Sequence, residues 1–294
     1  MKQTSRLRQL LAQPGAIMAP GVADALNARL VAQHGFDAIY MTGAGTSAVR
    51  LGMPDVGLLT MTEMVDNAGR IAEASGLPLI ADADNGYGGV LNVRRTIQAY
   101  ERAGVAAVHI EDQVMPKRCG HLMGKQLVPV EEMVAKIKAA TDARSDSDFV
   151  VIARTDAIAV EGFEPALERA ERYRDAGADV VFLEAPNQAQ LAQIAPRIKA
   201  PLLYNMASSG KTPFLKKEEI EQLGFKIIIY PNWVILAAIR AASEMLRTLK
   251  ETGTIASMAG QVASFREFFD LVGMPEVQAL EARYGVAEET RTRY

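Results

Sequence analysis

The residues in this chain that could do chemistry are mostly acids. Asp82, Asp84, Glu111 and Asp112 directly follow short apolar runs. Residues i and i+2 of a strand share a face, so Asp82 and Asp84 can point together. Hard oxygen donors without several Cys or His suit Mg2+, with Mn2+ as second choice. The competing reading is a set of acids paired with Lys117 and Arg154. A second cluster is P-K-R-C-G-H-L-M-G-K at 116–125, which holds the only cysteine. Lys117, Arg118 and His121 flank Cys119, and nearby cations favour thiolate. The two glycines would let this segment move as a lid. A lone Cys is usually a small buried hydrophobe, but a cationic, loop-like setting argues for a reactive one.

These groups need a scaffold. Eight short apolar runs recur, at 17–20, 38–42, 77–81, 106–110, 149–153, 179–183, 201–204 and 226–230. Each is too short for a globular helix, and most are rich in Val and Ile, so each reads as a strand buried on both faces. Helical patterns fill 23–33, 62–74, 92–103, 131–140, 164–176 and 218–223. A glycine precedes the next strand four times, at Gly35, Gly104, Gly177 and Gly224, and each predicts a helix stop. Strand alternating with helix implies parallel pairing. Eight such units favour a closed α/β barrel, the (β/α)8 or TIM barrel, over an open doubly wound sheet. Residues 1–13 predict an extra helix. With no Pro/Gly/Ser-rich linker, the chain reads as one domain, 1–294, in which 233–294 forms a C-terminal helical segment. That segment is longer than one barrel helix needs, so part of it is expected to pack on a neighbouring subunit.

A barrel does chemistry at the C-terminal ends of its strands. Those ends read Tyr40 to Gly43, Asp82 to Asp84, His109 to Asp112, Arg154 to Asp156, Glu184 and Asn205. Strand ends are often polar because loops are, but half-buried Asp, Glu and Arg need partners. The pocket wall is expected to include Trp233 and residues 122–124. G-A-G-T-S-A at 43–48 matches a dinucleotide fingerprint, but it follows the second unit, and Gly52-Met-Pro54 interrupts the helix it must open. N-M-A-S-S-G-K-T at 205–212 misses a P-loop because Asn205 stands where glycine belongs.

Composition bounds the rest. The 294 residues carry a net charge of −3 with no sustained basic run, which excludes nucleic acid as an expected partner. No apolar stretch of about 18 residues predicts a membrane span. One cysteine and no signal-like start predict a cytoplasmic protein.

Taken together, K-R-C-G-H at 117–121, H-I-E-D-Q at 109–113 and D-A-D-N-G-Y-G at 82–88 resemble the isocitrate lyase/phosphoenolpyruvate mutase superfamily. Y-M-T-G-A-G-T-S at 40–47, G-M-P-D at 52–55, A-R-T-D-A at 153–157 and N-M with G-K-T-P at 205–213 extend the likeness over nearly the whole chain. Within it the chain is most similar to the 2-methylisocitrate and 2,3-dimethylmalate (2-alkylmalate) lyases, and also to carboxyphosphonoenolpyruvate phosphonomutases.

The resemblance implies a barrel whose last helix is swapped between subunits, a homotetramer and an essential Mg2+. Asp82 matches the direct metal ligand, and Asp55, Asp84 and Glu111 match residues that hold its waters. Thr42, Gly43 and Ala44 match the loop that binds the keto-acid carboxylate; the family often has Ser at position 42. Arg154 matches the substrate-carboxylate arginine. His109, Glu184 and Asn205 line the same rim, Tyr40 matches a tyrosine proposed as base, and Cys119 matches the lyase thiol. Lys117, Arg118 and His121 join it as catalytic residues and Gly120 as a substrate-binding one.

The implied reaction is a retro-aldol cleavage of a small 2-hydroxy acid. A base takes the C2 hydroxyl proton, pyruvate forms, and an acid on the lid protonates the departing carbon. Phosphonomutases do not need that thiol, and superfamily oxaloacetate decarboxylases and acetylhydrolases usually lack K-R-C-G-H. Methylisocitrate lyases often carry Arg shortly after the His; here Leu122-Met-Gly-Lys125 follows instead. A third carboxylate therefore lacks an expected partner. The ranking is alkylmalate first, methylisocitrate second and phosphonomutase third. A Rossmann-type oxidoreductase and a catalytically silent barrel are the readings from other classes.

Overall fold

Eight strands, each three to six residues long, are the elements that position the site. They are β1 (Ile17–Val22), β2 (Ile39–Met41), β3 (Leu79–Asp82), β4 (Ala107–Glu111), β5 (Val150–Thr155), β6 (Val180–Leu183), β7 (Leu203–Asn205) and β8 (Ile227–Tyr230). The computed structural model describes residues 1–293. All strand pairs are parallel, in the order β6-β5-β4-β3-β2-β1-β8-β7. The remaining seam closes through a parallel bridge between Val181 and Leu202, where Val181 N donates to Pro201 O at 3.0 Å. The sheet is therefore a (β/α)8 barrel, and each of the eight apolar runs overlaps one of its strands.

Every strand is buried because its two faces meet different cores. Inward side chains such as Ile17, Ala19, Ile80, Val150, Ile152, Phe182 and Ile229 pack with one another. Leu7 joins that inner cluster from α1 (Gln3–Ala12), so this helix plugs the end where the strands begin. Arg8 fastens it there, donating to the Asp148 and Phe149 carbonyls and to Asp179. Outward side chains pack under α2 (Ala25–Gln33), α4 (Met61–Ser75), α5 (Val90–Arg102), α6 (Val130–Ala143), α7 (Phe163–Asp175) and α9 (Lys217–Gln222). Burying both faces is what makes a barrel strand read as a continuous apolar run.

Two barrel helices were not anticipated. One is α3 (Gly43–Leu51), which forms although Gly52 ends it early; the Thr42 hydroxyl caps it by accepting from Gly45 N at 3.3 Å. The other is α8 (Gln188–Ile198), which starts with a capping box between Asn187 and Gln190 and carries Pro196 near its end. Both are polar or interrupted enough to hide the 3.6-residue period.

The chain divides into two compact units, Met1–Ile235 and Leu236–Tyr294, with the division inside α10 (Trp233–Thr252). The second unit contains the rest of α10 with α11 (Phe265–Leu271) and α12 (Met274–Arg283). No helix is long and apolar enough to cross a membrane among the described residues.

Candidate active site

The strand ends deliver their polar side chains to one cleft of about 170 Å3. That lies below the ~300–1,000 Å3 typical of drug-sized ligands, so the cleft suits a small acid, not a dinucleotide. Its lining includes Tyr40, Thr42, Ala44, Asp55, Asp82, Cys119, Gly120, His121, Arg154, Glu184 and Asn205. Eleven residues from seven separate stretches of sequence thus converge as expected.

Asp82 sits at the centre. Its Oδ2 accepts from Gly43 N at 3.2 Å and its Oδ1 from Asp84 N at 2.9 Å. A Cβ on Gly43 would overlap that carboxylate, so the residue at 43 must be glycine for α3 to start there. His109 Nε2 lies 3.7 Å from Asp82 Oδ1 and 2.9 Å from Tyr40 Oη. Burial alone would raise the Asp82 pKa, but His109, Lys117, Arg154 and the Asp84 N–H hold it below the usual carboxylate value. Burial pushes His109 down to about 4, so its ring is neutral. Burial, aided by Asp82, holds the Tyr40 phenol protonated well above its ordinary value.

Arg154 crosses the floor. Its Nε and Nη2 each donate to Asp156 at 3.1 Å, Nη1 lies 3.3 Å from Glu111 and Nη2 3.2 Å from Glu184. The guanidinium also lies over the Phe182 ring, 5.2 Å from its centroid. Asn205 Nδ2 donates to both Glu184 oxygens at 3.1 and 3.2 Å, which leaves its buried Oδ1 without a partner.

The lid is anchored on both sides of the cleft. Lys117 Nζ sits 2.6 Å from Asp55 and 2.7 Å from Asp84. Cys119 N donates to Asp55 O at 3.1 Å. His121 Nδ1 lies 2.8 Å from Ser209 Oγ, and Lys211 Nζ donates to His121 O at 2.8 Å. Gly120 is pressed against Arg154 and Glu184 so closely that a Cβ there would overlap the guanidinium.

Several expectations need correction. The flanking cations do not make Cys119 a thiolate. Burial raises its pKa, the His121 backbone N–H and Arg154 pull the other way, and Lys117 pairs with Asp55 and Asp84 instead. Arg118 is exposed and donates to Met123 O at 2.9 Å, away from the cleft. Asp112 faces the outer side of the barrel, held by Thr155 at 2.7 Å, Tyr173 at 2.8 Å and Arg169 at 3.4 Å. Trp233 and residues 122–124 are absent from the wall; Ala207, Ser208, Ser209, Pro231 and Asn232 form it. Trp233 instead braces that wall, donating Nε1–H to Met206 O at 2.7 Å. Asp84, His109, Glu111 and Lys117 lie behind the lining residues.

Sequence reasoning overlooked Asn232, whose Oδ1 accepts from Thr42 Oγ1 at 2.9 Å. It stands just beyond β8, so the strand-end rule extended to the last strand would have found it. Asp156 was read but given no role, although it pairs with Arg154. Lys125 was passed over because it follows the K-R-C-G-H motif.

The acids suit a small hard cation. Among the described residues, the Lys and Arg partners of Asp55, Asp84, Glu111, Asp156 and Glu184 are Lys117, Lys125 and Arg154, while Asp82 faces His109 and Glu184 also faces His121. Both Glu111 oxygens are buried with no hydrogen bond, and burial raises that carboxyl's pKa far above normal. Burial, with Asp82 and Asp55 nearby, pushes Asp84 up to about 6 even against Lys117. Such a surplus of buried acid calls for protons or a cation. Among the described residues no three His, Cys, Asp or Glu side chains form a ready-made cage. Mg2+ is an ion that takes one or two protein carboxylates and completes its shell with water and substrate.

Comparison with known proteins agrees with this geometry. The phosphoenolpyruvate phosphomutase family model matches residues 7–250. The 2,3-dimethylmalate lyase of Eubacterium barkeri is 47% identical over 97% of this chain and 99% of its own length. A 2-methylisocitrate lyase of Aeropyrum pernix is 42% identical over 98% of this chain and 93% of its own. An oxaloacetate acetylhydrolase crystal structure superposes with a TM-score of 0.93 at 39% identity, covering 98% of each chain. The chain belongs to the phosphoenolpyruvate phosphomutase family, within the superfamily that also contains isocitrate lyase.

Proposed function

We propose that this protein is a Mg2+-dependent carbon–carbon lyase that cleaves a 2-alkylmalate into pyruvate and a carboxylic acid. The observation that carries the reading is that the chain's one thiol, with Gly120 and His121, lines a cleft whose one lining Lys or Arg among the described residues is Arg154; burial raises the pKa of that thiol. A retro-aldol cleavage needs an acid at the departing carbon, and a protonated Cys119 fits that role better than a nucleophilic thiolate would. Asp82 would hold the metal directly, with Asp55, Asp84 and Glu111 around its waters. When bound, the ion supplies Lewis-acid stabilisation of the developing carbonyl oxygen.

The remaining roles fall to the chain. The α3 N-terminus, opened by Thr42 and Ala44, offers a positive dipole end to the keto-acid carboxylate. Arg154 pairs with a second carboxylate, and Asn205 Oδ1 is free to accept from the substrate. Tyr40 cannot act as a standing phenolate. It acts as a relay, taking the C2 hydroxyl proton while passing its own to the neutral His109 Nε2 2.9 Å away. Asp82 then faces the new imidazolium at 3.7 Å.

A third carboxylate would have to share Arg154 with the second, because Arg154 is the one Lys or Arg that lines the cleft among the described residues. This ranks alkylmalate above 2-methylisocitrate. The apolar side chains Leu236, Ile239, Leu246 and Leu249 of α10 are exposed. They suit burial against a second copy, as in a helix-swapped homotetramer of a cytoplasmic enzyme.

The test is 2-oxoacid release with Mg2+ from 2,3-dimethylmalate, 2-methylisocitrate, isocitrate and oxaloacetate. An alkylmalate should exceed methylisocitrate in kcat/KM by about tenfold or more, the effect of one missing charged contact. Higher activity on methylisocitrate would reverse the ranking. Cleavage of oxaloacetate alone would favour the decarboxylase or acetylhydrolase chemistry, and phosphonate rearrangement without cleavage the phosphonomutase.

A further inference from the structure

We propose that Lys125 and Gln113 are positioning residues that fasten the Cys119 segment to Arg154 through the Asp156 carboxylate. The two residues sit on opposite stems of the lid, which pair as a short antiparallel bridge between Gln113 and Leu127. Val114 N also donates to Gln126 O at 2.8 Å.

Each stem reaches the same acid. Lys125 Nζ lies 3.1 Å from Asp156 Oδ1 and also donates to Gly120 O, next to the thiol residue. Gln113 Nε2 donates to Asp156 Oδ2 at 3.2 Å and to Arg118 O at 2.9 Å, and its Oε1 accepts from Arg118 N at 3.0 Å. The Lys125 side chain is 2% exposed and Asp156 is fully buried, so water does not compete for these bonds. Asp156 is itself held in place, since its N–H donates to the buried Asp112 at 3.0 Å.

Asp156 thus grips Arg154 with both oxygens and the lid with the same two. The residues on either side of Cys119 are tied to Asp156 through Gln113 and Lys125, and Gly120 rests on the guanidinium. Neither Lys125 nor Gln113 lines the cleft. Their effect must come from where they hold the thiol, not from contact with substrate. Buried networks of this kind set geometry, and small displacements of a catalytic group are costly.

The experiment measures alkylation of Cys119 by iodoacetamide, followed by intact mass, without substrate or metal. One cysteine makes the reading unambiguous. Lys125→Met and Gln113→Leu should each react about tenfold faster or more, with the exposed Lys138→Met at the wild-type rate. Gln113→Leu carries the test if Lys125→Met does not fold. The kinetic arm rests on the lyase reading: kcat should fall about tenfold or more with KM nearly unchanged. Wild-type alkylation rates in the folded variants, or a raised KM with unchanged kcat, would overturn the proposal. If the wild-type enzyme cleaves none of the 2-hydroxy acids, the lyase reading falls, and the alkylation rates still decide whether the lid is fastened this way.

Discussion

Replacing Cys119 with serine should lower kcat by about 10²–10⁴-fold, the range for loss of a positioned general acid. The hydroxyl is close in size, but it is a far weaker acid than a thiol. KM and Mg2+ affinity should stay near wild type, because Cys119 touches the surrounding acids through its backbone N–H, which donates to Asp55 O and is kept by serine. The pH profile gives a second check. Burial raises the thiol pKa, and on the proposed mechanism the protonated form is the active one. Activity is therefore complete below that pKa and lost as pH rises through it, so the basic limb should lie above the ordinary thiol value of about 8.5. Steady-state rates with metal titration by calorimetry measure both quantities. Full activity in Cys119→Ser would remove the thiol from the mechanism.

The second large effect belongs to Asp82. Asp82→Ala should reduce turnover by roughly 10³-fold or more, since Lewis-acid stabilisation supplies several kcal/mol. The residual rate should no longer respond to Mg2+. Alanine also frees the Gly43 and Asp84 N–H groups that the carboxylate now accepts from. Asp82→Asn keeps an acceptor for one of them, so it separates loss of charge from loss of local structure. Mg2+-dependent turnover in a folded Asp82→Asn or Asp82→Ala protein would contradict the ligand assignment.

How far the sequence revealed this site depends on how each residue is held. The barrel was legible because strands buried on both faces leave continuous apolar runs, and the cleft was legible because polar groups directly follow those runs. Tyr40, Asp82, Arg154, Glu184 and Asn205 were found this way. The charge state of Cys119 was not legible, because Lys117 is adjacent in sequence yet spends its charge on Asp55 and Asp84, from other loops. Arg118 misled for a different reason: its side chain is exposed and donates to Met123 O. Asp112 reads like Glu111 in sequence, but consecutive strand residues point to opposite faces, and one residue separates the cleft from the outer layer. The Lys125–Asp156 contact joins positions 31 residues apart, a pairing that no local pattern announces.

The central claim is that a carbon–carbon bond breaks and the lid thiol protonates the departing carbon. Cleavage of 2,3-dimethylmalate in D2O tests it directly, read by mass spectrometry and NMR of both products. The account predicts pyruvate with an unlabelled methyl group and propionate carrying one deuterium at C2 on a single face, with that incorporation lost in rate for Cys119→Ser. Absence of pyruvate, or propionate labelled equally on both faces by the wild-type enzyme, would contradict it.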